Sequence, residues 1–437
     1  MTTAPDPVAA ADDAGRPDAA GFDRLSAACQ ADGPDAMCDE LARSLAARGR
    51  WHALFDLRLV QARLALGLPT SGGLETLDEA TRARLDEASL AACREVGWPL
   101  LEAGQVAAAW MYLRATAPAA EVSARLTSLA DRVLAAATTG ITEDADDEET
   151  TRLVQETVGV ALWESADPAL GIRLVLATQG TCNAVTAYEQ AVSRLPAVRQ
   201  EPAARVLVAH LHAEVVRSLA ADLAHRGIDT AAALASQTPL VALLEAAGGL
   251  EGDPSIHVDV SHLQSVLRIA RVCGDTTTLE RSWELARYGC RLPEEVTYPG
   301  EPPFENVAEA SRHFYGSQLG QHVAEAIGFF RRAAAMADLD AAGSLPTDTL
   351  VLLLARLGRP AEALQAAVDR PREGGPPSTL QAAGLLPPLI ELARASGNWN
   401  MLLDACRRHG DEVTFAAALA SRAGSLRTTT AGLSGNP

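Results

Sequence analysis

Four of the nine histidines in this 437-residue chain fall in one short region: His257, His262, His313 and His322. Carboxylates accompany three of them at helical spacing. Asp259 stands three positions before His262, Glu309 four before His313, and Glu325 three after His322. On a helix, each such pair shares a face. Imidazole nitrogens and carboxylate oxygens are good ligands for transition metals, and helical bundles hold di-metal sites with inward-pointing Glu and His. Asp259, His262, Glu309, His313, His322 and Glu325 are therefore candidate ligands for a divalent transition metal. They would serve a metal-dependent enzyme lidded by the proline-rich stretch Tyr298–Phe304. His313 and His322 are nine positions apart and meet only if Gly316 or Gly320 breaks the helix between them. The competing reading is structural: Asp259 caps a helix and the Glu–His pairs are surface partners.

Elsewhere the chemistry thins out. The group His210, His212, Glu214 lies on a pattern in which His212 shares a stripe with Val208, Val215 and Leu219, the pattern of a core-edge histidine. H-E-x-x-H, G-x-S-x-G and G-x-G-x-x-G do not occur. The chain has no lysine, which excludes a P-loop and Schiff-base catalysis. With 37 Arg+Lys against 56 Asp+Glu the net charge is −19. That balance argues against nucleic-acid binding, which needs a basic face. Seven single cysteines without a C-x-x-C pair point to reduced thiols. The first twenty or so residues have neither the basic start nor the apolar run of a secretory signal, and no uncharged apolar stretch reaches the ~20 residues of a membrane span. A cytoplasmic location is expected.

The elements that must position these groups are helices. Leu350, Leu353, Leu354 and Leu357 form one stripe of a 3.6-residue repeat, and Leu279, Trp283, Ala286 and Cys290 another. Alternating strand patterns are absent. A phrase then recurs: a helix end, a Gly, a short polar bridge, and a new helix. It is centred on Gly49, Gly104, Gly274, Gly320, Gly358 and Gly397. A Gly in the left-handed conformation closes a helix and lets the next one fold back over a short turn. The last four copies are spaced 46, 38 and 39 residues apart, as in arrays of helix hairpins that share a core by stacking.

LARLGRPAEALQAAVDRP, Leu354 to Pro371, resembles the turn and second helix of a tetratricopeptide repeat, with small residues at Gly358, Ala361 and Ala363 and Pro371 at the far end. The likeness covers about the C-terminal third; the Trp…Leu-Gly…Tyr pattern of the first helix is not met. It implies a binding scaffold. The expected fold class is all-α, a superhelical array of antiparallel helix hairpins, or α-solenoid. Composition divides the chain into a disordered tail (1–21), an N-terminal hairpin region (22–140) and a middle helical region (141–250). A repeat-like region (251–420) with a proline-rich loop at 292–304 and a second tail (421–437) follow.

A groove between stacked hairpins suits a protein or peptide partner, and an acidic chain favours a basic one. The residues expected to meet it are Tyr288, Tyr298, Phe304, His313 and Tyr315, where aromatic and polar groups come together. This reading needs no cofactor, no nucleic acid and no membrane. Oligomeric state is left open.

Overall fold

The computed structural model describes residues 19–72, 77–139, 144–248, 255–370 and 378–433. Among them every regular element is a helix and no strand occurs. The expected boundary segments around 140–143, 249–254 and 371–377, with Pro371 and most of the N-terminal tail, lie outside the described residues. No helix among the described residues is long and apolar enough to cross a membrane.

The chain forms two compact units that divide between Gly171 and Ile172. The first contains α1 (Ala19–Ala47), α2 (Trp51–Ala65), α3 (Glu79–Glu102), α4 (Val106–Leu113), α5 (Ala119–Thr139), α6 (Asp144–Val158) and a π-helical turn, Gly159–Trp163. Its core gathers Cys38, Ala42 and Leu45 of α1, Leu54 and Leu57 of α2, and Val96 of α3. Fully burying a Leu or Val contributes about 1.5–3 kcal/mol, so this cluster contributes to holding the three helices together. The dividing point lies within α7 (Pro168–Ala187).

In the second unit α8 (Ala197–His225) presents a fully buried stripe of Leu207, Val208, Leu211, Val215 and Leu219. Against it pack α10 (Pro239–Ala246), which follows the short α9 (Ala231–Leu234), then α11 (Val260–Ile269) and α12 (Thr276–Gly289). From α12 onward helices pack mainly on sequence neighbours. These are α13 (Val307–Gln318), α14 (Val323–Met336), α15 (Leu339–Ala342), α16 (Leu345–Arg356), α17 (Pro360–Val368), α18 (Thr379–Ala382), α19 (Leu389–Ser396), α20 (Trp399–His409) and α21 (Glu412–Leu433). Helix α21 carries regular structure past Ser421, into the stretch that composition marks as a tail.

Glycine closes the helices in the expected way at five of the six positions. Gly49, Gly104, Gly320, Gly358 and Gly397 all have positive φ. At Gly49 the amide donates to Ala46 O at 3.0 Å and Arg50 N to Leu45 O at 2.9 Å, the paired bonds that satisfy the last carbonyls of a helix. Gly274 is the exception. Helix α11 ends in a 3₁₀ turn, Ala270–Val272, Cys273 is extended, and Asp275 caps α12 by accepting from Thr278 N at 3.0 Å. The reversal there needs no left-handed residue.

One side chain ties distant parts of this unit together. The half-buried guanidinium of Arg356, last residue of α16, donates from Nη1 to Cys273 O at 2.9 Å and from Nη2 to Arg271 O at 2.8 Å. It also lies 5.7 Å from the ring centre of Phe314.

Candidate functional site

Helix α12 buries Leu279, Leu285, Ala286 and Tyr288. Trp283 and Arg287, one turn apart, stay half-buried on another side, with the guanidinium carbon 5.1 Å from the indole centre. Helix α13 packs on α12 and is capped by Asn306, whose side chain accepts from Glu309 N at 2.9 Å. Its Gly316 lies against the indole: a Cβ there would stand 3.0 Å from Trp283 Nε1, so glycine lets the tryptophan approach the backbone. Helix α13 then ends at the left-handed Gly320, with Gln321 N donating to Gly316 O at 2.8 Å. His322 follows at φ 48°, an uncommon conformation for a residue with a Cβ, and starts α14 without any side-chain cap.

These three elements enclose a cleft of about 250 Å³ lined by Trp283, Arg287, Arg312, His313, Gly316, Gln321, His322 and Glu325. A second, adjoining depression of about 550 Å³ shares Trp283 and Gln321 and extends past Leu279, Glu280 and Gln318 to Arg356. The cleft therefore carries two guanidiniums, two imidazoles and one carboxylate.

His313 is 7 % exposed and stacks on Phe329 with ring centres 4.7 Å apart. Burial, helped by the neighbouring Arg312 charge, pushes its pKa below the ordinary histidine value, so its imidazole is neutral at pH 7. Arg312 Nη2 lies 3.4 Å from His313 Nε2, while Arg312 Nε is buried without a hydrogen-bond partner. His322 and Glu325 are exposed at the rim, Nδ1 to Oε2 at 3.7 Å.

The expected ligand set thus splits. His313, His322 and Glu325 do come to one cleft, and the break that allows it is at Gly320. Asp259 instead caps α11, accepting from Ser261 N at 2.8 Å and Ser261 Oγ at 2.6 Å. His262 is half-buried on α11, Glu309 is in the first turn of α13, and none of these three lines the cleft. Among the described residues no group of three or more His, Cys, Asp or Glu is placed to hold a metal ion. The remaining histidine of the region, His257, is engaged with the Asp222 carboxylate at 3.2 Å and the Tyr288 hydroxyl.

The aromatic residues expected to meet a partner are mostly core. Tyr288 is fully buried and its hydroxyl accepts from His257 N at 2.9 Å. Tyr315 is fully buried and donates to Leu267 O at 2.5 Å. Phe304 is 3 % exposed and packs edge-on against Phe330. Of the five, Tyr298 alone is exposed; its carbonyl accepts from Gln264 Nε2 at 2.6 Å, and it borders a separate depression of about 300 Å³ with Val260 and Leu263. Large aromatic rings carry enough apolar area that helix packing claims them first.

Sequence spacing missed Arg287, Arg312 and Gln321. The i, i+4 relation of Trp283 and Arg287 was a visible signal, but such a pair reads equally as packing beside a solvated face. Comparison of the chain with known protein families, with curated proteins and with solved structures found no match.

Proposed function

We propose that this chain is a non-catalytic binding scaffold of the helical-repeat class, related in architecture to tetratricopeptide arrays, that holds a protein or peptide segment. The observation that carries this reading is the succession of helices α13 to α20, packed mainly on their sequence neighbours, six of which (α13, α15, α16, α18, α19 and α20) are closed by a left-handed glycine. Such arrays present continuous grooves rather than a single deep pocket. The two adjoining depressions along α12 and α13 are where a segment would lie, and Tyr298 offers an exposed ring on the same unit. The charge of −19 favours a basic partner. Seven free thiols support a reducing, cytoplasmic setting.

The test is cross-linking of the purified chain in native lysate, with Trp283→Ala and Glu280→Arg variants beside the natural sequence. A partner captured by the natural chain, released by salt and lost from the variants supports the scaffold. Capture that is identical in all three removes these depressions from consideration, and absence of any salt-sensitive partner removes the scaffold reading itself.

A further inference from the structure

The cleft between α12, α13 and the start of α14 has an electrostatic character opposite to that of the whole chain. Arg287 and Arg312 line it, and neither makes an ion pair with a carboxylate among the described residues. Arg312 is half-buried beside His313 and Cys290, and its Nε has no hydrogen-bond acceptor among the described residues. The N-terminus of α14, fourteen residues long, opens at the same place without a side-chain cap, so its first N–H groups and the positive end of its dipole are available. Donors thus reach one space of about 250 Å³ from three elements.

We propose that this cleft binds a single phosphomonoester group. A carboxylate offers two oxygens in a plane, whereas donors arriving from α12, α13 and the α14 terminus match the three oxygens of a tetrahedral phosphoryl group. The net charge of −19 repels a polyanion such as nucleic acid, which leaves one isolated phosphoryl group as the ligand. Buried neutral His313 supplies an uncharged wall beside Arg312. Glu325 is the opposing feature: it sits at the rim, exposed and turned to His322, where it limits affinity without blocking the space. The site stands independently of the scaffold reading, because it holds whether the phosphoryl group belongs to a small molecule or to a modified peptide side chain.

Calorimetric titration of the purified full chain tests this with three probes: inorganic phosphate, N-acetyl-O-phosphoserine amide and acetate. Saturable binding of a phosphate probe, with none of acetate, is expected. Arg312→Gln should weaken it by about tenfold or more, Arg287→Gln by a similar factor, and Glu325→Gln should tighten it about threefold. Circular dichroism melting checks that each variant folds, and the second arginine serves if the first does not. Equal affinity for both phosphate probes identifies a free phosphoryl compound as the source. A tenfold preference for the phosphoserine amide identifies a phosphorylated segment. No saturable binding of either phosphate probe at about 10 mM, or binding that the folded arginine variants leave unchanged, overturns the site while leaving the scaffold reading standing.

Discussion

His212 of α8 and Glu284 of α12 form a buried hydrogen-bonded pair, Nε2 to Oε2 at 2.7 Å, across 72 positions of sequence. The second carboxylate oxygen of Glu284 accepts from Val241 N at 3.0 Å, at the start of α10. One side chain therefore satisfies groups from two other helices. Glu284→Ala leaves both unpaired in the interior, and each buried polar group left unsatisfied costs about 1–3 kcal/mol. Glu284→Gln keeps an acceptor for Val241 and is expected to lose less. Urea denaturation decides; a Glu284→Ala midpoint equal to that of the natural chain would refute the role.

Asp259 gives a pH-dependent contribution of known sign. Hydrogen bonds from the Ser261 hydroxyl and N–H hold its carboxyl below the usual carboxylate range. A depressed folded pKa stabilises above the unfolded value, about 3.9, and the gain disappears as pH falls through the folded value. Asp259→Ala should therefore cost about 1 kcal/mol at pH 7 and progressively less under acid conditions. A cost that does not change between pH 7 and pH 3 speaks against the cap.

Gly300 sits in the proline-rich loop, where its amide donates to Glu305 O at 2.8 Å. A Cβ there would collide with the Phe304 carbonyl oxygen and stand 2.5 Å from Val307 Cγ2. Backbone cannot step aside as a flexible side chain can, so Gly300→Ala should destabilise by about 1–3 kcal/mol. Gly328, inside α14, has only Arg332 Nη1 within 4 Å of such a Cβ, at 3.4 Å. Gly328→Ala should raise stability by about 0.5–1 kcal/mol through helix propensity. Thermal melts of the two variants moving in the same direction would contradict this contrast.

Thiol reactivity should separate two cysteines. Cys273 has no exposed surface, and burial, with Glu201 and Asp275 nearby, pushes its thiol up to about 12. Cys182 is exposed. Since the thiolate is the nucleophile, iodoacetamide at mildly alkaline pH should alkylate Cys182 and spare Cys273 until denaturant is added. Peptide mass spectrometry reads the outcome, and equal labelling of both in the native chain would contradict the burial.

Periodicity revealed helices wherever one stripe faces the core. Leu350, Leu353 and Leu354 are buried as their spacing implies, while Leu357 falls just past the helix end and is only half-buried. Pro360 opens α17, as its lack of a useful N–H suggests. Six further left-handed glycines that close helices, Gly67, Gly227, Gly248, Gly343, Gly384 and Gly410, carried a weaker signal. The chain after Gly67 and Gly227, for example, does not re-enter a helix at once. The site was legible where spacing along one segment governs, as for His322 and Glu325. Arg287, Arg312 and the His212–Glu284 pair depend on which helices lie side by side, and a linear pattern of residue types carries little of that.

The Arg356 bonds to Cys273 O and Arg271 O make a closed ring of the intervening stretch, with the guanidinium as its clasp. Opening the C-terminal end of α16 strips two carbonyls 83 and 85 positions earlier of a charged donor. Fraying at one end is thereby felt at the other, so amides flanking residue 272 and residue 355 should exchange with deuterium at matched rates, and both should accelerate together in Arg356→Ala.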